Sequence, residues 1–129
     1  MILCDTNILI EFYKNNPNIV QELRRIGSSN LAISVITKAE LYYGAINKPE
    51  LNQIKKHLDL ISNIPLTQVI SAQFIQLMTD YSLSHKLTIP DALIAATAIT
   101  QDLELYTLNI KDFRFIKDLK IYQTHQQQK

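Results

Sequence analysis

Four acidic residues stand where a carboxylate needs a reason. Asp5 follows the apolar run Ile2-Leu3-Cys4 directly, and Glu40 closes Thr37-Lys38-Ala39-Glu40 just after the run Leu31–Ile36. Asp91 opens the Ala-rich stretch Ala92–Thr100, and Asp112 lies just beyond the run Leu103–Leu108. Acids at the exits of apolar segments converge if those segments pack side by side and point the same way. Packed carboxylates repel, and either one of them takes up a proton or a cation offsets them. A hard divalent ion such as Mg²⁺ or Mn²⁺ suits oxygen ligands and bridges readily to a phosphate. Such a site lowers the pKa of a water molecule and stabilises charge on phosphoryl oxygens, which is the chemistry of phosphodiester hydrolysis. No Cys/His spacing suits zinc, and His57, His85 and His125 are scattered as surface or structural residues would be.

Each acid also has a local explanation. Glu40 and Asp91 complete S/T-x-x-E/D patterns with Thr37 and Thr88, and an acid in a first helical turn stabilises it by ~0.3 to 1 kcal/mol. Asp5 could make an Asx turn in Asp5-Thr6-Asn7, and Asp112 could cap the turn before Phe113.

The elements that would position them follow from periodicity and punctuation. Short apolar runs bounded by turn residues predict strands at Ile2–Cys4, Leu31–Ile36, Ile64–Leu66, Leu103–Leu108 and, at an edge, Lys120–Tyr122. Helical spacing predicts helices over Ile8–Tyr13, Asn18–Ile26, Thr37 to about Asn47, Pro49–Ile61, Ser71–Ser84 and Ala92–Thr100. Strands alternating with helices imply a mostly parallel sheet covered on both faces, an α/β sandwich that binds ligands beyond the carboxyl ends of its strands.

At 129 residues and 47% hydrophobic content the chain suits one domain, taken as residues 1–123, with 124–129 a flexible polar tail. No apolar run approaches a membrane span and the start, MILCDTN, is no signal peptide, so a cytoplasmic protein without membrane contact is expected. The lone Cys4 reads as a buried small hydrophobe. A net charge of +1 leaves any basic surface local, with Lys111, Arg114, Lys117 and Lys120, or Arg24 and Arg25, as candidates or as ordinary solvated charges.

Taken together, the blocks Ile2-Leu3-Cys4-Asp5-Thr6-Asn7, Thr37-x-x-Glu40-Leu41-x-x-Gly44, Pro90-Asp91-Ala92-Leu93-Ile94-Ala95-Ala96-Thr97-Ala98 and Leu105-Tyr106-Thr107-x-Asn109-x-x-Asp112-Phe113 resemble PIN-domain, VapC-like toxins. The blocks run in family order from residue 2 to residue 113. The resemblance implies a three-layer α/β/α sandwich, an acidic pocket for Mg²⁺ or Mn²⁺, and endoribonuclease activity on single-stranded RNA, transfer or messenger. It also implies a VapB-type antitoxin and a homodimer, with apolar faces such as Phe12 and Tyr13, or Leu41, Tyr42 and Tyr43, serving one or the other. By position it makes Asp5 and Asp91 the principal metal ligands, with Glu40 and Asp112 as further catalytic acids. Thr6, Asn7 and Thr107 would support them. Many relatives carry an acid where this chain has Asn109, so the fourth position falls to Asn109, Asp112 or both, and one metal is favoured over two. Two rival readings are a haloacid-dehalogenase-type phosphatase, which lacks its second Asp here because position 7 is Asn, and a silent PIN module acting as a binding protein.

Overall fold

In the computed structural model residues 1–124 are described; all of the expected polar tail except Thr124 lies outside the described residues. Five short strands, β1 (Ile2–Cys4), β2 (Leu31–Ser34), β3 (Ser62–Ile64), β4 (Glu104–Tyr106) and β5 (Lys120–Ile121), form one sheet in the order β3-β2-β1-β4-β5. Every pairing is parallel, with Leu3 opposite Ala32 on one side and Leu105 on the other. The first strand to be made is thus the central one.

Among the described residues six α-helices cover it: α1 (Thr6–Tyr13), α2 (Pro17–Ile26), α3 (Val35–Tyr43), α4 (Lys48–Leu58), α5 (Gln68–His85) and α6 (Ile89–Thr100). Alternation along the strands sorts the core into two layers, because successive side chains point to opposite faces. Leu3, Ala32 and Leu105 pack with Ile70 and Leu77 of α5 and with Ala92, Ala95 and Ala96 of α6. Cys4, Ile33 and Tyr106 pack on the other face against Ile8, Leu9, Ile19, Leu23 and Ile54. The run of alanines in α6 lets a helix buried almost all round approach the sheet closely. Cys4 is fully buried, with its thiol pushed up to about 12 by that burial and by neighbouring Asp5.

Helix starts explain where the sequence reading shifts. Asp5 caps α1 by accepting the Thr6 amide at 2.8 Å, so that helix begins two residues before the expected Ile8. Ser34 caps α3 by accepting the Thr37 amide, which ends β2 at Ser34 and makes Val35 and Ile36 helical rather than extended. Thr37 is therefore inside the helix, and Glu40 stands in its second turn, not its first. α3 ends at Tyr43 rather than near Asn47, because Asn47 instead caps α4 through the Glu50 amide. Asn16 and Thr67 cap α2 and α5, and Gly27, at φ 87°, provides the left-handed turn that closes α2. Among the described residues no helix is long and apolar enough to cross a membrane.

Candidate active site

The three central strands end at one edge, and each delivers part of a single acidic pocket. The backbone N–H of Asp5 continues the β1–β4 ladder by donating to the Tyr106 carbonyl at 2.9 Å, which fixes the side chain just past the sheet. Its carboxylate is 4% exposed. Oδ1 accepts the Thr6 amide, and Oδ2 accepts the Thr107 hydroxyl at 2.7 Å; Thr107 Oγ1 in turn accepts the Asn109 amide at 3.0 Å. Burial raises the Asp5 carboxyl above its usual range, the bonds from Thr107 and Thr6 pull it back, and the charges of Glu40 and Asp112 push it up again.

From β2 the chain turns into α3, whose second turn presents Glu40. Its Oε1 accepts the Thr6 hydroxyl at 2.7 Å. Thr6 thus serves both acids, its N–H to Asp5 and its O–H to Glu40. Asp91 arrives on the first turn of α6, where Thr88 caps its backbone amide at 3.3 Å. Its carboxyl is pushed up to about 6, first by burial and next by the charge of Asp5, with smaller contributions from Asp112 and Glu40 against a hydrogen bond to Thr88.

The pocket has a volume of about 540 Å³, and Asp5, Thr6, Asn7, Glu40, Asp91 and Asn109 all line it. Its polar lining offers oxygen and amide groups but no His or Cys. Asp112 does not line it: the residue sits exposed in a single 3₁₀ turn, Ile110–Asp112, and reaches Asp5 and Asp91 through charge alone. Asn109 occupies the rim position instead. Among the described residues no three Cys, His, Asp or Glu side chains converge into a ready-made metal cage.

Ile10, Ala39 and Tyr43 also line the pocket and were not singled out as site residues. Tyr43 could have been found, since it follows Glu40 by three residues and so shares its helical face. Its ring is 93% exposed. The candidate basic residues Lys111, Arg114, Lys117, Lys120, Arg24 and Arg25 are all exposed; Arg25 pairs with Glu22 and Lys120 with Asp102. His57 is half-buried, stacked on Phe12 and hydrogen-bonded to Tyr13, and His85 is exposed but stacked on Phe115. His125 lies outside the described residues.

Comparison with known proteins agrees with this geometry. The PIN domain model matches residues 2–117. Ribonuclease VapC10 of Mycobacterium tuberculosis is 36% identical over 124 residues, covering 93% of this chain and 91% of that protein. A toxin–antitoxin complex from Klebsiella pneumoniae superposes with a TM-score of 0.79 at 34% identity, covering 92% of this chain and 95% of that one. The DNA-bound VapBC of Salmonella typhimurium gives a TM-score of 0.82 at 25% identity, covering 94% and 96%. Sequence and overall fold thus agree, and the chain belongs to the PIN-domain family, in its VapC-like group.

Proposed function

We propose that this chain is a Mg²⁺- or Mn²⁺-dependent endoribonuclease, the toxin partner of a VapB-type antitoxin, and that Asp5 and Asp91 are its principal metal ligands. The observation that carries the proposal is geometric: Asp5, Glu40 and Asp91 line one oxygen-donor pocket, where burial first and the charges of their acidic neighbours second raise the Asp5 and Asp91 carboxyls. A divalent cation relieves that repulsion, and a protein that binds one there recovers the cost.

When bound, the ion lowers the pKa of water and offsets the charge developing on a phosphate. The protein groups divide the remaining work. Thr107 and Thr6 fix both oxygens of Asp5, so that carboxylate meets a cation without rearranging. Glu40 has one oxygen held by Thr6; its other oxygen accepts a hydrogen bond from the water that attacks the phosphorus. Asn7 and Asn109 offer amide N–H donors to phosphate oxygens at the rim. Asp112 strengthens the negative field from outside the pocket. The exposed ring of Tyr43 gives an unstacked base a face to pack on, which favours single-stranded RNA over a duplex.

A second groove supports the antitoxin assignment. It has a volume of about 700 Å³ and lies between α1, α3 and α4, with Phe12, Tyr13, Leu41, Ile54 and His57 among its walls. Ile10 and Glu40 line both this groove and the acidic pocket, so an apolar segment seated here also closes off the acids.

The direct test incubates purified protein with total RNA in Mg²⁺, Mn²⁺ or chelator, alongside a folded Asp5→Asn Asp91→Asn variant. Cleavage that needs the metal and disappears in the variant is the expected result. An intact protein that neither cleaves RNA nor binds Mn²⁺ sinks the enzyme reading.

A further inference from the structure

Thr37 is fully buried in the first turn of α3, yet it carries a hydroxyl. That hydroxyl satisfies no backbone group, since Ser34 already caps the helix. Its partners are two other hydroxyls, Thr6 Oγ1 at 3.0 Å and Ser34 Oγ at 3.3 Å. Each hydroxyl has one proton to give, and an ionised carboxylate only accepts. The Thr6 proton goes to Glu40 Oε1, so the Thr6–Thr37 bond is donated by Thr37, and Thr37 accepts from Ser34. The result is a one-way chain, Ser34 to Thr37 to Thr6 to Glu40, with every proton pointing toward the pocket. Hydrogen bonds in such a series polarise one another and strengthen the last one.

We infer that Thr37 is a positioning residue for the cleavage reaction, acting through Thr6 to hold the Glu40 carboxylate in its working orientation. The inference rests on the nuclease reading above, in which Glu40 orients the attacking water. Without the Thr37 hydroxyl, Thr6 Oγ1 loses its donor, and Ser34 Oγ loses its acceptor. The Thr6 hydroxyl is then no longer held or polarised by Thr37, and its bond to Glu40 loosens while Asp5 and Asp91 keep their own partners.

The test compares Thr37→Val with Thr37→Ser in Mn²⁺-dependent RNA cleavage, with melting temperature measured for both and a crystal structure of the valine variant. The expected outcome is a kcat at least tenfold lower for T37V with KM within twofold, restoration by T37S to within about threefold, and Glu40 Oε1 displaced from Thr6 Oγ1 in the T37V crystals. A T37V enzyme with unchanged kcat overturns the inference. So does a T37S enzyme as impaired as T37V, which would mark a packing defect. Should T37V fail to fold, Thr37→Cys replaces it, since a thiol keeps the volume and donates only weakly; wild-type kcat in T37C overturns the inference. If the intact protein neither cleaves RNA nor binds Mn²⁺, the nuclease reading falls, and Glu40 still seated on Thr6 in the variant crystals overturns the positioning separately.

Discussion

Asp91 costs the folded state stability at neutral pH. Its folded pKa of about 6 lies above the value near 3.8 of a free aspartate, so between those values the folded state holds the proton more tightly than the unfolded one. For an acid shifted upward the contribution to stability is fully present below the unfolded pKa and is lost as pH rises through the folded value. Asp91→Asn, which resembles the protonated form at every pH, is therefore expected to be more stable than the metal-free wild type at pH 7.5. The gain is on the order of 1 kcal/mol after allowance for solvent screening, or roughly 3–6 °C in Tm. The gap should close as pH falls from about 6 to about 4, a trend that thermal melts across that range check directly. The same variant is expected to lose about 10²-fold or more in RNA cleavage. Tyr43→Ala should do the reverse: with its ring 93% exposed, Tm stays within about 1 °C, while KM for RNA rises several-fold in initial-rate measurements. At this scale Asp5 and Asp91 were legible because acids at the exits of apolar runs are unusual. Asp112 was less so, since one turn of 3₁₀ helix decides whether its side chain or that of Asn109 meets the pocket.

Among the elements, the start of α3 decides the geometry of the site. The sequence Thr37-Lys38-Ala39-Glu40 matches a capping box, and the apolar residues Val35 and Ile36 extend the strand run seamlessly, so periodicity alone places the helix start at Thr37. Ser34 competes from three residues earlier and wins, because its side chain accepts the Thr37 amide while Thr37 is drawn to Thr6, a partner 31 residues away. No local pattern reports a contact of that separation. Ser34→Ala is expected to cost about 1 kcal/mol, read as a drop of several degrees in Tm, by removing the cap. It should also lower RNA cleavage, because the cap sets the direction from which α3 presents Glu40. Gly44 closes the same helix at φ −81°, a conformation open to any residue, and an added Cβ meets only ordinary contacts at 3.6 Å and beyond. Gly44→Trp is expected to project its ring into the groove with Tm close to wild type, and its co-purification with a co-expressed VapB-type antitoxin should fall well below that of the wild type.

Across the whole molecule, five short parallel strands bring to one edge what the chain scatters over more than a hundred residues, from Asp5 to Asn109. The α/β alternation and the parallel sheet were readable from apolar runs and helical periods. The strand order was not, because runs of three or four residues carry no record of their neighbours, and it is the central place of β1 that sets Asp5 beside both α3 and Thr107. Under the function proposed above, a cation would relieve the charge that Asp5, Glu40 and Asp91 bring to one pocket. The central claim is thus a binding claim, and calorimetric titration of the metal-free protein with Mn²⁺ at pH 7.5 tests it most directly, with Asp5→Asn and Asp91→Asn in parallel. The account predicts one ion bound by the wild type, with affinity cut at least tenfold in either variant, and a Tm raised by Mn²⁺ in the wild type alone. Equal binding by all three proteins, or none by the wild type, would contradict it.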